Sequence, residues 1–236
     1  MKTIGLLGGM SWESTANYYK AINEGVKRQL GGFHSAKIAL VSVDFAEIEK
    51  YQSLGHWDKA AECLVMASNA VEAAGADCLL ICTNTMHKVA DDIERSLSIP
   101  LIHIADATAE TLKQNGVSKV GLLGTAFTME QGFYKDRLTE KHNIDVVVPE
   151  PAQRKLVHDV IYKELVNGVV EDASREAYLA TIDDLSRNGA QAVILGCTEI
   201  AMLVQQTDTK IPLYDTTQIH SDAAVCFALK TPESAE

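Results

Sequence analysis

The feature that most narrows what this chain can fold into is that it repeats itself. Residues 4–8 read Ile-Gly-Leu-Leu-Gly and residues 120–124 read Val-Gly-Leu-Leu-Gly, an offset of 116. Tyr18 and Tyr134 keep that offset. Further on, Gly75-Ala76-Asp77-Cys78-Leu79-Leu80-Ile81 answers to Gly189-Ala190-Gln191-Ala192-Val193-Ile194-Leu195 at an offset of 114. Ile99-Pro100-Leu101 then answers to Ile211-Pro212-Leu213 at an offset of 112. Matches that recur in one order with a slowly drifting offset mark a duplicated unit.

Each unit alternates short apolar runs with longer amphipathic stretches. Runs suited to buried parallel strands lie at 3–8, 38–43, 78–82 and 100–104, with counterparts at 119–123, 145–148, 192–196 and 211–214. Between them, residues 57–74 set Ala61, Leu64, Val65, Ser68 and Val71 at helical spacing. Gly116 and Gly189 stand where helices should stop before the next strand. The pattern predicts an α/β protein of two pseudo-symmetric three-layer domains with parallel sheets, spanning 1–104 and 105–215, with the active site in the cleft between them. A last helix over 216–230 is expected to cross back onto the first unit, and 231–236 to fray.

Composition removes several function classes. A hydrophobic share of 47% and a charged share of 22% are those of a globular protein with ample core material. The net charge of −11 argues against nucleic acid, which needs clustered Lys and Arg. No run reaches the ~18 apolar residues of a membrane span. Met1-Lys2-Thr3-Ile4-Gly5 enters a strand-like run directly, without a signal-peptide pattern, which predicts a cytoplasmic protein. Cys63, Cys78, Cys82, Cys197 and Cys226 include no C-x-x-C and read as free thiols, and the scattered histidines lack zinc spacings, so no metal is expected.

Open parallel sheets bind ligands beyond the carboxyl ends of their strands. The residues to inspect are therefore Gly8 to Thr15 and Cys82 to His87, with Gly124 to Thr128 and Gly196 to Glu199 in the second unit. Their hydroxyl and amide groups suit helix N-caps, and four such turns brought together by the repeat also suit a carboxylate cradle. Gly5-Leu6-Leu7-Gly8-Gly9 does not supply G-x-G-x-x-G, and no Gly-Lys-Ser/Thr follows the first strand. Neither a dinucleotide nor a nucleoside triphosphate is expected.

These residues carry a resemblance to the aspartate/glutamate racemase family, whose motifs resemble C-N-T-x-H and G-C-T-E. The second stands intact as Gly196-Cys197-Thr198-Glu199, and the first reads Thr83-Asn84-Thr85-Met86-His87, with threonine in place of cysteine. The repeat offset of 114 sets Thr83 opposite Cys197 and Cys82 opposite Gly196. The resemblance spans nearly the whole chain, including the opening Gly-Leu-Leu-Gly-Gly-Met.

What the resemblance implies is an amino-acid racemase for aspartate or glutamate that uses no cofactor and no pyridoxal phosphate. Cys197 and Thr83 would work on opposite faces of the α-carbon in a two-base 1,1-proton transfer. A helix start after the strand would lower the Cys197 thiol toward usable thiolate. Thr83 is a far poorer base, which leaves three routes. It acts through a water or a neighbouring donor in a slow or direction-biased enzyme, Cys82 substitutes for it, or a single cysteine does the chemistry.

Asn84, Thr85, Thr125 and Thr198 are expected to hold the α-carboxylate. Met10 and Gln52 match cleft-lining positions of the family, and Lys163 resembles a family lysine that contacts a substrate carboxylate. His87 is expected to cap a helix or to hydrogen-bond from behind the site. The family also implies a small-molecule amino-acid substrate and a homodimer. Two further readings stay open: a one-cysteine dicarboxylate decarboxylase or cis-trans isomerase, and an amino-acid-binding protein without turnover.

Overall fold

The computed structural model describes residues 1–230; the segment expected to fray, 231–236, lies outside them. The chain divides into two units, Met1–His103 with the residues from His220 onward, and Ile104–Ile219. The first unit runs β1 (Ile4–Gly8), α1 (Trp12–Leu30), β2 (Ile38–Ser42), α2 (Phe45–Leu54), α3 (Trp57–Ala73), β3 (Cys78–Ile81) and α4 (Ala90–Ser96). Its strands are parallel in the order β2-β1-β3. Every residue of β1 and β3 is buried, as continuous apolar runs covered on both faces require, whereas β2 at the edge is half-exposed.

The strand expected at 100–104 shrinks to one parallel bridge, Leu79 to Leu101. Leu79 donates to the Pro100 carbonyl at 2.9 Å and accepts from the Ile102 amide at 2.9 Å. Pro100 brings no N–H of its own, and the chain is already helical at Ile104, so no second residue remains to extend the ladder.

The second unit runs α5 (Ile104–Gln114), β4 (Lys119–Gly124), α6 (Ala126–Glu130), α7 (Gly132–Asp136), β5 (Asp145–Val147), α8 (Pro151–Lys163), α9 (Asp172–Arg187), β6 (Ala192–Gly196), α10 (Ile200–Leu203) and β7 (Leu213–Asp215). Its strands are parallel in the order β5-β4-β6-β7. With the Leu101 bridge in the place of β7, this is the strand order of the first unit. The last helix, α11 (Thr216–Leu229), begins in the second unit and passes into the first.

The repeat is not uniform. One helix, α1, answers to three pieces: α6, α7 and a π-helical turn at Arg137–Lys141. Gln131 is extended between α6 and α7 and breaks the run. Asp106 on α5 anchors the π turn, accepting from Arg137 Nε at 2.7 Å and Nη2 at 2.8 Å, Lys141 at 2.7 Å and His142 at 2.8 Å. Burial works to raise the Asp106 carboxyl, but these charge-assisted bonds outweigh it and hold it far below the usual carboxylate range.

Each terminal helix closes a core. Ile104, Ala105, Ala109 and Leu112 of α5 pack with Val120, Leu122 and Tyr134 of the second unit. Ala224, Val225 and Ala228 of α11 pack with Tyr18, Ile22 and Val26 of the first. No helix among the described residues is long and apolar enough to cross a membrane.

Candidate active site

In the first unit, the turn after β1 lies tight against β2. Gly9 has a φ of +94°, and a side chain there would collide with the Val43 backbone, so only glycine fits. The hydroxyls that follow are spent on this turn. Thr15 Oγ1 accepts the Gly9 amide at 2.8 Å and donates to the Ser11 carbonyl at 2.8 Å, and Ser11 caps Ser14 N–H at 3.2 Å. Ser14 Oγ donates to the Cys82 carbonyl at 2.9 Å, tying the first turn of α1 to the end of β3.

Thr83 follows directly and is partly exposed between buried neighbours, Cys82 behind and Asn84 and Thr85 ahead. Its amide donates to the Ile81 carbonyl at 2.8 Å, and its own carbonyl accepts from His87 Nδ1 at 2.8 Å. Its hydroxyl makes no hydrogen bond to the described residues. Cys82 cannot stand in for it. That side chain is fully buried in the apolar cluster with Ile4, Leu6 and Tyr18, where burial pushes its thiol far up.

Gln52, buried on α2, donates to Met86 Sδ at 2.7 Å and so reaches the same segment. Met10 packs with Met86 in the first unit's core.

In the second unit, Gly124 and Gly196 are paired across β4 and β6, so Thr125 and Cys197 leave neighbouring strands side by side. A Cβ at Gly196 would stand 2.7 Å from the Leu123 carbonyl oxygen, which is why glycine precedes this cysteine. Thr125 caps α6 by accepting from Thr128 N–H at 3.4 Å. Cys197 is partly exposed, like Thr83. Its Sγ donates to Glu199 Oε2 at 2.9 Å, and Thr198 Oγ1 donates to the same oxygen at 2.7 Å.

This overturns the expectation of a thiol lowered by a helix start. The helix that follows, α10, has four residues and begins only at Ile200. Burial and the adjacent Glu199 carboxylate push the Cys197 thiol well up, and the backbone donors of Glu199 and Thr198 pull it back only in part. Cys197 and Glu199 thus form one hydrogen-bonded side-chain pair at the strand end.

Lys163 ends α8, is mostly exposed, and pairs with Asp159 at 3.1 Å. Thr125, Cys197 and Thr198 are grouped at the ends of β4 and β6; no bond joins Lys163 to them. Two other side chains at these strand ends had no role assigned from sequence. Glu199 was visible as the last letter of G-C-T-E. His158 on α8 accepts the Ala126 amide at 3.2 Å, next to Thr125; a lone histidine on an amphipathic helix gives no sequence signal.

Comparison with known proteins agrees with this geometry. Residues 7–224 match the family model for Asp/Glu/hydantoin racemases. The structure is similar to that of a candidate Asp/Glu racemase from Yersinia pestis, 55% identical with a TM-score of 0.93, covering 98% of this chain and 100% of that one. It is also similar to an aspartate racemase homologue from Pyrococcus horikoshii OT3, 33% identical with a TM-score of 0.86, covering 98% and 100%. A broad specificity amino-acid racemase from Bacillus subtilis is 21% identical over 97% of this chain and 96% of its own.

Proposed function

The chain belongs to the Asp/Glu/hydantoin racemase family and is an amino-acid racemase; from that premise we propose that it acts on aspartate or glutamate without a cofactor, by proton transfer at Cα with Cys197 and Thr83 on opposite faces. The observation that carries the reading is the 2.9 Å bond from the Cys197 thiol to Glu199 at the strand end equivalent to Thr83.

The chemistry follows from the two protonation states. Glu199 takes the thiol proton, and the thiolate so formed removes the α-proton of the enantiomer that presents it. The planar carbanion is then protonated from the other face through the Thr83 hydroxyl, which passes on a proton from water. A neutral hydroxyl relays a proton as an acid far better than it abstracts one, so exchange of the α-proton with solvent is fast for the enantiomer whose α-hydrogen faces Cys197 and slow for the other. Asn84, Thr85, Thr125 and Thr198 hold the α-carboxylate, Met10 and Gln52 line the substrate's surroundings, and Lys163 takes a carboxylate after releasing Asp159.

The working form is a cytoplasmic homodimer, for which sedimentation should give twice the 25.6 kDa of one chain. Chiral chromatography of each enantiomer of aspartate and glutamate after incubation should show the opposite enantiomer forming from either hand. The bare hydroxyl of Thr83 favours one second reading, a one-cysteine reaction on a dicarboxylate. Carbon dioxide released from a substituted malonate, with no inversion of either amino acid, would establish it instead.

A further inference from the structure

Behind Thr83 lies a buried polar cluster that the proton transfer does not use. His87 Nδ1 is 2.8 Å from the Thr83 carbonyl oxygen; a carbonyl only accepts, so this nitrogen carries the hydrogen. The His87 ring meets His103 edge-on, with centroids 4.5 Å apart, and His220 at 5.8 Å. His220 Nε2 lies 2.6 Å from the Ile102 carbonyl oxygen and must donate to it. Its Nδ1 therefore accepts from the Tyr18 hydroxyl at 2.8 Å. All four side chains are buried.

Polar groups at such depth are retained at a cost relative to apolar packing, and they specify one arrangement only when satisfied. The repeat shows where this cost is borne. At the offsets of 114 and 112, His87 answers to Ala201 and His220 to Thr108. The histidines belong to the half with threonine at its strand end, and the half with the cysteine has none at those positions. The Thr83 turn is also tied by its own amide bond to Ile81, by Ser14 Oγ on the Cys82 carbonyl and by the His87 amide on the Asn84 carbonyl.

We propose that His87, braced by His103 and His220, is a positioning residue that fixes the Thr83 turn so that its hydroxyl faces the substrate α-carbon. The inference rests on the racemase reading. A misplacement of about 1 Å can cost on the order of 100-fold in rate, so one bond to a backbone carbonyl can govern the protonating face.

The test separates the two faces. In D₂O, exchange of the α-proton reports the Cys197 face, and inversion requires Thr83 as well. His87→Leu fills the volume without a donor and should lower inversion about 30- to 100-fold in kcat while changing exchange less than about threefold. His87→Asn keeps a donor at similar reach and should stay near the wild type in both. Tyr18→Phe, which leaves the Thr83 contact in place, should lower Tm with the ratio of inversion to exchange unchanged. An unchanged ratio in His87→Leu, or an equal fall of both rates, would overturn the proposal and leave His87 as core support. If the wild type neither exchanges nor inverts any amino acid, the racemase reading fails first and takes this inference with it.

Discussion

The turns at Thr83-Asn84-Thr85 and Cys197-Thr198-Glu199 occupy equivalent places, each at the end of a buried parallel strand next to the first strand of its sheet. Both lead with a partly exposed side chain between buried neighbours. Their chemistry is nonetheless opposite. At an offset of 114, thiol answers to hydroxyl and the carboxylate of Glu199 answers to Thr85. The first half therefore lacks both members of the acid–base pair, and in their place it carries a histidine that grips the backbone of the turn. The repeat keeps the scaffold in both halves, and the proposed proton chemistry falls on the Cys197 side.

The largest way to break this comparison is Cys197→Ala. Turnover and α-proton exchange should both fall at least about 10³-fold with the fold intact, because one group supplies all base chemistry on its face. Steady-state rates with circular dichroism check it.

Next is Glu199→Gln, whose two effects should have opposite signs. Burial and then Glu199 raise the thiol, so removing the charge lowers its pKa. Alkylation of Cys197 near neutral pH should quicken, by about tenfold, since the thiolate is the nucleophile. Turnover should fall about 10- to 100-fold, because the acceptor of the thiol proton is gone. Slower alkylation would contradict the charge effect, and unchanged turnover would contradict the proton-acceptor role.

Thr83→Cys should sharpen the comparison, raising exchange from the previously disfavoured enantiomer about tenfold. If it does not, the carboxylate missing at Thr85 is what separates the halves, and adding Thr85→Glu should then supply the gain.

The smallest effect concerns acid stability. Burial pushes His220 down to about 4 from its ordinary 6.5. The unfolded chain therefore binds this proton between those values and the folded chain does not. Stability from this group is complete above pH 6.5 and lost on the way down to pH 4, by about 3 kcal/mol at most. Asp106 in the second unit is depressed instead, so its contribution holds until the pH drops below its ordinary 3.8. Hydrogen exchange at pH 5 should show the first unit losing protection before the second, and His220→Gln should flatten that difference.

Much of this was legible in the residues. Gly-Leu-Leu-Gly in both units marks β1 and β4, and the offset of 114 sets Thr83 against Cys197, in keeping with the equivalent pairing of Leu7 with Ile81 and Leu123 with Leu195. The rest depends on contacts that no linear pattern encodes. Pro100 and the early start of α5 cut a strand to one bridge, although the apolar run looks complete. The sign of the Cys197 shift needed the position of Glu199's carboxylate, which a motif names without placing. The clustering of His220 with His87 and His103 joins residues more than a hundred positions apart, with no periodicity to announce it.

The most direct measurement is NMR of the α-proton in D₂O with each enantiomer of aspartate and glutamate, read together with chirality on the same samples. Exchange should exceed inversion for one enantiomer, be slow for the other, and vanish in Cys197→Ala. Equal exchange and inversion from both hands, or exchange that survives Cys197→Ala, would contradict a proton-transfer site concentrated on the Cys197 side.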